Sequence, residues 1–346
     1  MENINIKKIL DYFKSGKFEI AKKETTLLIK KFPNNYFLYN LFGAILAGQK
    51  KLDEAVIYFE KSIQISPNYA DSYNNLAGVL ADQKKYDKAI EYFQKAIQIN
   101  PKLPEAYHNL GKALAEVERY DEAINNYNQA IKIKPNYVKA YDNLGNVYRI
   151  LNDFENAISC YEKTIEIDGS YSDTYNKLAI LYCDIGRVDD ARKCFQKLFK
   201  LKPDNVQYKI NNALLLTPVY KSVEEMDLYR NKFIEGLDLL KKCKYSTDQP
   251  ANKIELNFYY LAYHNKDNLE IMKKLSKLFR QIIPIINYTS KNIANQKNKK
   301  KIKVGFISQY LTNHTVGKLF GGLIKNMNKE KFDITVFHAF NTRKSL

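Results

Sequence analysis

The sequence predicts a mainly α protein: a solenoid of stacked helical pairs, then further helices, then a single incomplete βαβ unit. Pro33, Pro67, Pro101 and Pro135 fall 34 residues apart, and Pro203 falls two periods later, with Gly169 at the skipped position. Ala21, Ala55, Ala89, Ala123, Ala157 and Ala191 keep the same period, as do Tyr39, Tyr73, Tyr107, Tyr141 and Tyr175. A fixed period of this length marks stacked repeats, each burying its apolar face only against its neighbours. Past residue 301 the texture changes to short β-prone runs on either side of a helical pattern.

Residues 1–35 read as a degenerate N-terminal capping repeat that keeps Ala21, Leu28 and Pro33 but lacks the small residue expected near Ile9. A terminal unit has no outer neighbour, so a worn sequence suits it. Five clearer units follow over 36–205: 36–69, 70–103, 104–137, 138–171 and 172–205. In each, positions 4, 7, 8 and 11 are apolar or small, which makes one stripe on a helix of 3.6-residue period. Position 8 is Gly43, Ala77, Gly111, Gly145 or Ala179, a choice that lets two helices approach closely. A polar turn such as 118–121 leads to a second helix with Ala at position 20 and Phe59, Phe93, Tyr127, Tyr161 or Phe195 at position 24. Proline at position 32 ends that helix, because it cannot donate to the ladder.

With these residues in place the array resembles the tetratricopeptide repeat family. The resemblance implies a right-handed α-solenoid that binds peptides on its concave side; it does not imply which partner.

Residues 206–285 read as a helical extension. Ser222 with Glu225 forms a capping box that opens a helix to about Leu240. A polar stretch at 245–253 interrupts the pattern, and two more helices are expected at about 254–265 and 268–283, the second ended by Pro284. Residues 286–301 read as a basic, asparagine-rich linker. Over 302–346, Val304–Ile307 and Phe332–Phe337 read as strands, and about Val316–Met327 as the helix between them, the start of a doubly wound α/β domain. Two parallel strands and one helix cannot cover both faces of a sheet, so the expectation is a truncated domain.

Charge sets limits on function. The net charge of +17 is uneven: residues 1–205 carry 30 Lys and Arg against 27 Asp and Glu, and the remainder carries 25 against 11. A nearly neutral array is a poor phosphate-binding surface, which argues against nucleic acid as its ligand. The sequence shows no apolar run of membrane-spanning length and no signal-peptide core, and it reads as a cytoplasmic protein without a membrane partner. Cys160, Cys183, Cys194 and Cys243 show no metal-ligand spacing, so no metal is expected. Gly317, Gly321 and Gly322 make neither a dinucleotide fingerprint nor a P-loop.

Chemistry in an open α/β sheet sits beyond the carboxyl ends of the strands, here the loop 308–317. It holds Asn313 and His314 just before a helix whose N-terminal amides favour an anion, and a histidine there can serve as a general base. The segment KIKVGFISQYLTNHTVGKLFGGLIKNMNKEKFDITVFHAF (301–340) resembles the start of the catalytic region of the O-linked N-acetylglucosamine transferase family, bacterial type. That family also places its catalytic region after a tetratricopeptide array, and FYYLAYH (258–264) looks like the segment that precedes the region. The resemblance implies two Rossmann-like halves, UDP-GlcNAc as donor substrate, Ser or Thr hydroxyls of proteins as acceptors, and no metal. It carries over His314 as an active-site position, with Asn313 beside it. Most nucleotide contacts would lie in an absent second half, so the chain alone is expected to be inactive. His108, His264 and His338 read as packing or surface residues.

Asn75, Asn109 and Asn143 occupy position 6 of three successive units. That position is turned about 200° from the packed stripe, so stacking aligns the three along the concave surface. A side-chain amide both donates to and accepts from a peptide backbone. The line resembles the asparagine ladder of the transferase family's repeats and predicts a peptide-binding groove, with Leu41 and Lys177 interrupting it at the two ends. The alternatives are a non-catalytic protein–protein interaction scaffold and an adaptor that meets nucleic acid through its basic C-terminal third.

Overall fold

A computed structural model of the chain describes residues 2–216, 220–242, 261, 264, 266–282, 302–308 and 332–338. They fall in two compact units, 1–282 and 283–346.

The first unit opens with twelve helices in antiparallel pairs. First members of the pairs are α1 (Glu2–Lys14), α3 (Tyr36–Gly48), α5 (Ala70–Asp82), α7 (Pro104–Glu116), α9 (Val138–Ile150) and α11 (Ser172–Asp184). Second members are α2 (Phe18–Lys31), α4 (Leu52–Ile65), α6 (Tyr86–Ile99), α8 (Tyr120–Ile133), α10 (Phe154–Ile167) and α12 (Val188–Leu201). This part is the all-α solenoid that the period predicts.

Within a pair, the small residue at position 8 meets the aromatic at position 24. A Cβ added to Gly43 would lie 2.8 Å from the Phe59 ring, one on Gly111 2.9 Å from Tyr127, and one on Gly145 2.7 Å from Tyr161. The first repeat inverts the sizes. Its position 8 is Ile9, buried, and its position 24 is Thr25, fully buried, with its hydroxyl donating to Ala21 O at 2.7 Å. The apparent lapse at Ile9 is thus one half of a volume-conserving exchange.

Each second helix ends on an extended residue, as residues before proline must. Phe32, Ser66, Asn100, Lys134 and Lys202 have φ between −130° and −136°. Asp168, followed by Gly169 instead of proline, takes the same geometry at φ −134°. There an Asx-turn takes over: Asp168 Oδ1 accepts from Ser170 N at 2.9 Å and from Ser170 Oγ at 2.6 Å. Those bonds hold its carboxyl below the usual carboxylate range.

The turn inside each pair needs a left-handed residue. Gly16, Lys50, Lys84, Glu118, Asn152 and Gly186 all have φ between +59° and +78°, one per repeat at the 34-residue period. Four are not glycine, which is why the sequence showed only a polar turn here.

Beyond the array, α13 (Val206–Ala213), α14 (Val223–Lys241) and α15 (Leu269–Ile282) each pack on the preceding helix. Ser222 caps α14 by accepting from Glu225 N at 3.2 Å, while Glu225 reaches back to Lys221 N at 2.6 Å, one residue earlier than a standard capping box. A Cβ on Gly236 would lie 2.1 Å from Ala213 O, so only glycine admits this approach of α14 to α13. The helix expected at 254–265 and the linker at 286–301 lie outside the described residues, apart from the isolated positions 261 and 264. No described helix is long and apolar enough to cross a membrane.

In the second unit, β1 (Ile302–Ser308) and β2 (Phe332–His338) pair in parallel, from Ile302 opposite Phe332 to Ser308 opposite His338. The crossover helix expected between them lies outside the described residues. The Rossmann-like βαβ unit is therefore not supported as a unit; what stands is a two-stranded parallel pair.

Candidate peptide-binding groove

Helices α3, α5 and α7 line an open groove of about 590 Å³, with Phe13 of α1 also in its wall. Asn75 and Asn109 lie in its lining and Asn143 does not. All three asparagines are half-buried.

Each of these amides is tied to the preceding repeat by a residue that the sequence reading passed over, the one at position 5. Asn75 Nδ2 donates to Asn40 Oδ1 at 3.0 Å, Asn109 Nδ2 to Asn74 Oδ1 at 3.1 Å, and Asn143 Nδ2 to His108 Nε2 at 3.0 Å. Lys177, expected to interrupt the line, continues it: Nζ meets Asp142 Oδ2 at 2.6 Å. Thr174 Oγ1 also donates to Asp142, at 2.6 Å, as Ser72 Oγ does to Asn40 at 3.3 Å. The signal was visible as polar residues at position 5, the register next to the asparagines.

The ties join into one directed chain. Tyr161 Oη donates to Asn146 Oδ1 at 2.9 Å, and Asn146 Nδ2 to Asn143 Oδ1 at 3.4 Å. Asn143 then donates to His108 Nε2, which places the ring proton on Nδ1, and Nδ1 lies 3.1 Å from Asn109 Oδ1. Asn109 donates to Asn74, Asn74 Nδ2 weakly to Asn75 Oδ1 at 3.5 Å, and Asn75 to Asn40. Burial holds the His108 imidazole below its ordinary range, and Lys139 and Lys112 act in the same direction; the Asn109 bond and Glu105 oppose it. The neutral ring is what this chain requires, since an imidazolium has no acceptor to offer.

Asn75 and Asn109 each spend one N–H and one oxygen lone pair on neighbours. One N–H and one lone pair remain on each, the complement of a peptide unit. Around them the walls carry Asp82, Lys84, Lys112 and Glu116, all exposed, two of each sign. Cys160, Cys183 and Cys194 are buried free thiols, each pushed up to about 12 by burial. They are packing residues. His314 and Asn313 lie outside the described residues.

Comparison with known proteins bears on the repeats themselves. The tetratricopeptide repeat family model matches residues 37–102, 68–136 and 105–170. These residues are tetratricopeptide repeats. The model of the CABIN1 N-terminal domain matches 139–216. Among solved structures, the chain is similar to PilW, a widely conserved type IV pilus biogenesis factor, at 18% identity and TM-score 0.54, covering 58% of this chain and 93% of that one. That likeness shows the fold alone. It is also similar to MamA, at 27% identity and TM-score 0.45 over 51% of this chain and 96% of that one. A third is YrrB, a TPR protein with an unusual peptide-binding site, at 19% identity and TM-score 0.42 over 52% and 93%. No curated protein sequence matches the chain. Nothing in these matches points to the O-linked N-acetylglucosamine transferase family.

Proposed function

We propose that the chain is a protein–protein interaction scaffold whose tetratricopeptide array holds an extended segment of a partner protein along Asn75 and Asn109, with Asn143 extending the line. The observation that carries this reading is the open groove with two half-satisfied amides in its wall. Amides that bond a backbone recognise extension and leave sequence to the side-chain contacts. The test is binding of short peptides, selected on the wild-type protein, to the variant with Asn75, Asn109 and Asn143 all replaced by Ala. Affinity should fall while the far-ultraviolet circular dichroism stays helical; unchanged affinity sinks the proposal.

A second reading keeps the transferase resemblance, with UDP-GlcNAc as donor, His314 as the base and Asn313 beside it. The parallel pairing of β1 with β2, 23 residues apart, is the observation that favours it. Its test is UDP release from UDP-GlcNAc with a Ser- and Thr-bearing peptide by a longer chain that carries the second α/β half, wild type against His314→Ala. Equal turnover in the two, or none in either, removes it.

A further inference from the structure

Six glycines lie inside described helices, and at five of them a Cβ would crowd a neighbour as the helices now stand. A Cβ would meet ring atoms within 3 Å at Gly43, Gly48, Gly111 and Gly145, and backbone at Gly236. Gly78 is the exception: a Cβ there meets nothing within 4 Å. It sits in the middle of α5, where glycine costs helix stability relative to alanine, and packing gives no return for that cost. What Gly78 does is line the groove, one turn along α5 from Asn75.

The same register in the other repeats holds Leu10, Ala44, Lys112, Asn146 and Ile180. The floor is therefore lowest at Gly78 and next lowest at Ala44, and it rises towards both ends of the array. Ala47, Val79 and Ala81 belong to the lining with it, as do the almost fully buried rings of Phe59 and Phe93. Asn75 and Gly78 are about 5 Å apart along the helix axis. A backbone held by the Asn75 amide therefore places a neighbouring side chain over the gap, since successive side chains of an extended segment are about 3.3 Å apart along the chain.

We infer that the space over Gly78 is a side-chain subsite that takes one large apolar residue, aromatic or Leu or Met, of an extended partner segment without net charge. This rests on the groove reading above. The apolar floor selects the side chain, because only an apolar group gains from burial there. The two acidic and two basic walls select against a segment of either net charge. Gly78 is then a specificity-determining residue: its missing side chain is the volume that the partner fills.

The experiment uses the full chain and a displayed library of random short peptides as the probe. Selected peptides should be neutral and share one large apolar residue, and replacing that residue by Ala should weaken binding to the wild type at least about tenfold. In Gly78→Leu, which fills the gap with a better helix former, the parent peptide should lose a similar factor, and the apolar-to-Ala change in the peptide should then cost almost nothing. Gly78→Ala serves as the folding control and should raise the melting temperature. If peptides bind through Asn75 and Asn109 with no shared apolar residue, or if that residue matters equally in wild type and Gly78→Leu, the subsite is wrong and the groove stands. Selection of strongly acidic or basic peptides overturns it too. If no peptide binds, or if the Asn75→Ala and Asn109→Ala changes do not matter, the groove reading falls and the subsite falls with it.

Discussion

The inner line of the array runs through two regions that make the same contact with different chemistry. Over α3, α5 and α7, position 6 meets position 5 through neutral amides, Asn75 on Asn40 and Asn109 on Asn74, above a floor of Ala44 and Gly78. Over α9 and α11 the line passes through Asn143 on His108 to an ion pair, Lys177 on Asp142, and the floor rises to Asn146 and Ile180. The difference teaches that a repeat fixes where a contact is made and leaves open what it is made of. One region keeps bonding capacity and volume for a ligand. The other fills that volume with Asn146 and Ile180 and ends its line in a charged pair.

The largest effect should come from breaking the ion pair. Asp142 is 5% exposed and accepts from only two described groups, Thr174 and Lys177. Lys177→Met leaves its carboxylate with one partner, and a stranded buried charge costs about 3–5 kcal/mol. The Lys177 side chain is 31% exposed, which brings the expected loss down to roughly 2 kcal/mol. Urea denaturation would measure it. The double change Asp142→Asn with Lys177→Asn installs the amide pair of the neighbouring repeats and should recover most of the loss. Failure to recover would show that the two regions are not interchangeable.

Much of this was legible beforehand and some was not, for physical reasons. Proline, alanine and aromatic periods reported the helix pairs because each sits at a backbone or packing constraint that recurs in every unit. The pairing of Gly43 with Phe59 and of Gly145 with Tyr161 is such a constraint. Position 5 was missed because its residues share polarity and register but not identity: Asn40, Asn74, His108 and Asp142. Lys177 looked like an end to the asparagines because a line of one residue type was sought, where the structure keeps a line of donors. The left-handed turn was hidden because Lys50, Lys84 and Glu118 carry no local sign of positive φ. His314 and the other residues between β1 and β2 lie outside the described residues.

A middle-sized effect should appear at the seam between the regions, where His108 joins them. Its imidazole lies below its ordinary range in the folded protein because of burial, while in the unfolded chain it returns to about 6.5. The unfolded state thus binds the proton first as pH falls. The stabilisation is complete above the unfolded value and is lost as pH drops from there towards the folded one. Protonation also turns Nε2 into a donor facing the Asn143 amide, which breaks the directed chain at its centre. Thermal melts at pH 7.5 and 5 should show a larger drop for the wild type than for His108→Asn, which takes the residue found at Asn40 and Asn74. His264, also lowered by burial, contributes equally to both proteins and cancels in the difference. Equal drops would place the pH sensitivity elsewhere.

The smallest effect concerns a feature that does not distinguish the two regions, and so serves as a control on the comparison. The left-handed turn residue is Lys84 beside the open floor and Asn152 beside the filled one, with Gly16 and Gly186 towards the two ends of the array. A left-handed residue with a Cβ costs roughly 1–2 kcal/mol, and glycine there gives back part of that through its own freedom in the unfolded chain. Lys50→Gly and Glu118→Gly should each stabilise the array by up to about 1 kcal/mol, Asn152→Gly by less because asparagine tolerates this conformation, and Gly186→Ala should destabilise it by a comparable amount. Because Lys50, Glu118, Asn152 and Gly186 are not among the residues that line the groove, peptide affinity should not move with stability in this series. A turn variant that changed stability and affinity together would mean that the groove depends on overall rigidity more than on its own amides and floor, and the contrast between the two regions would lose its meaning for binding.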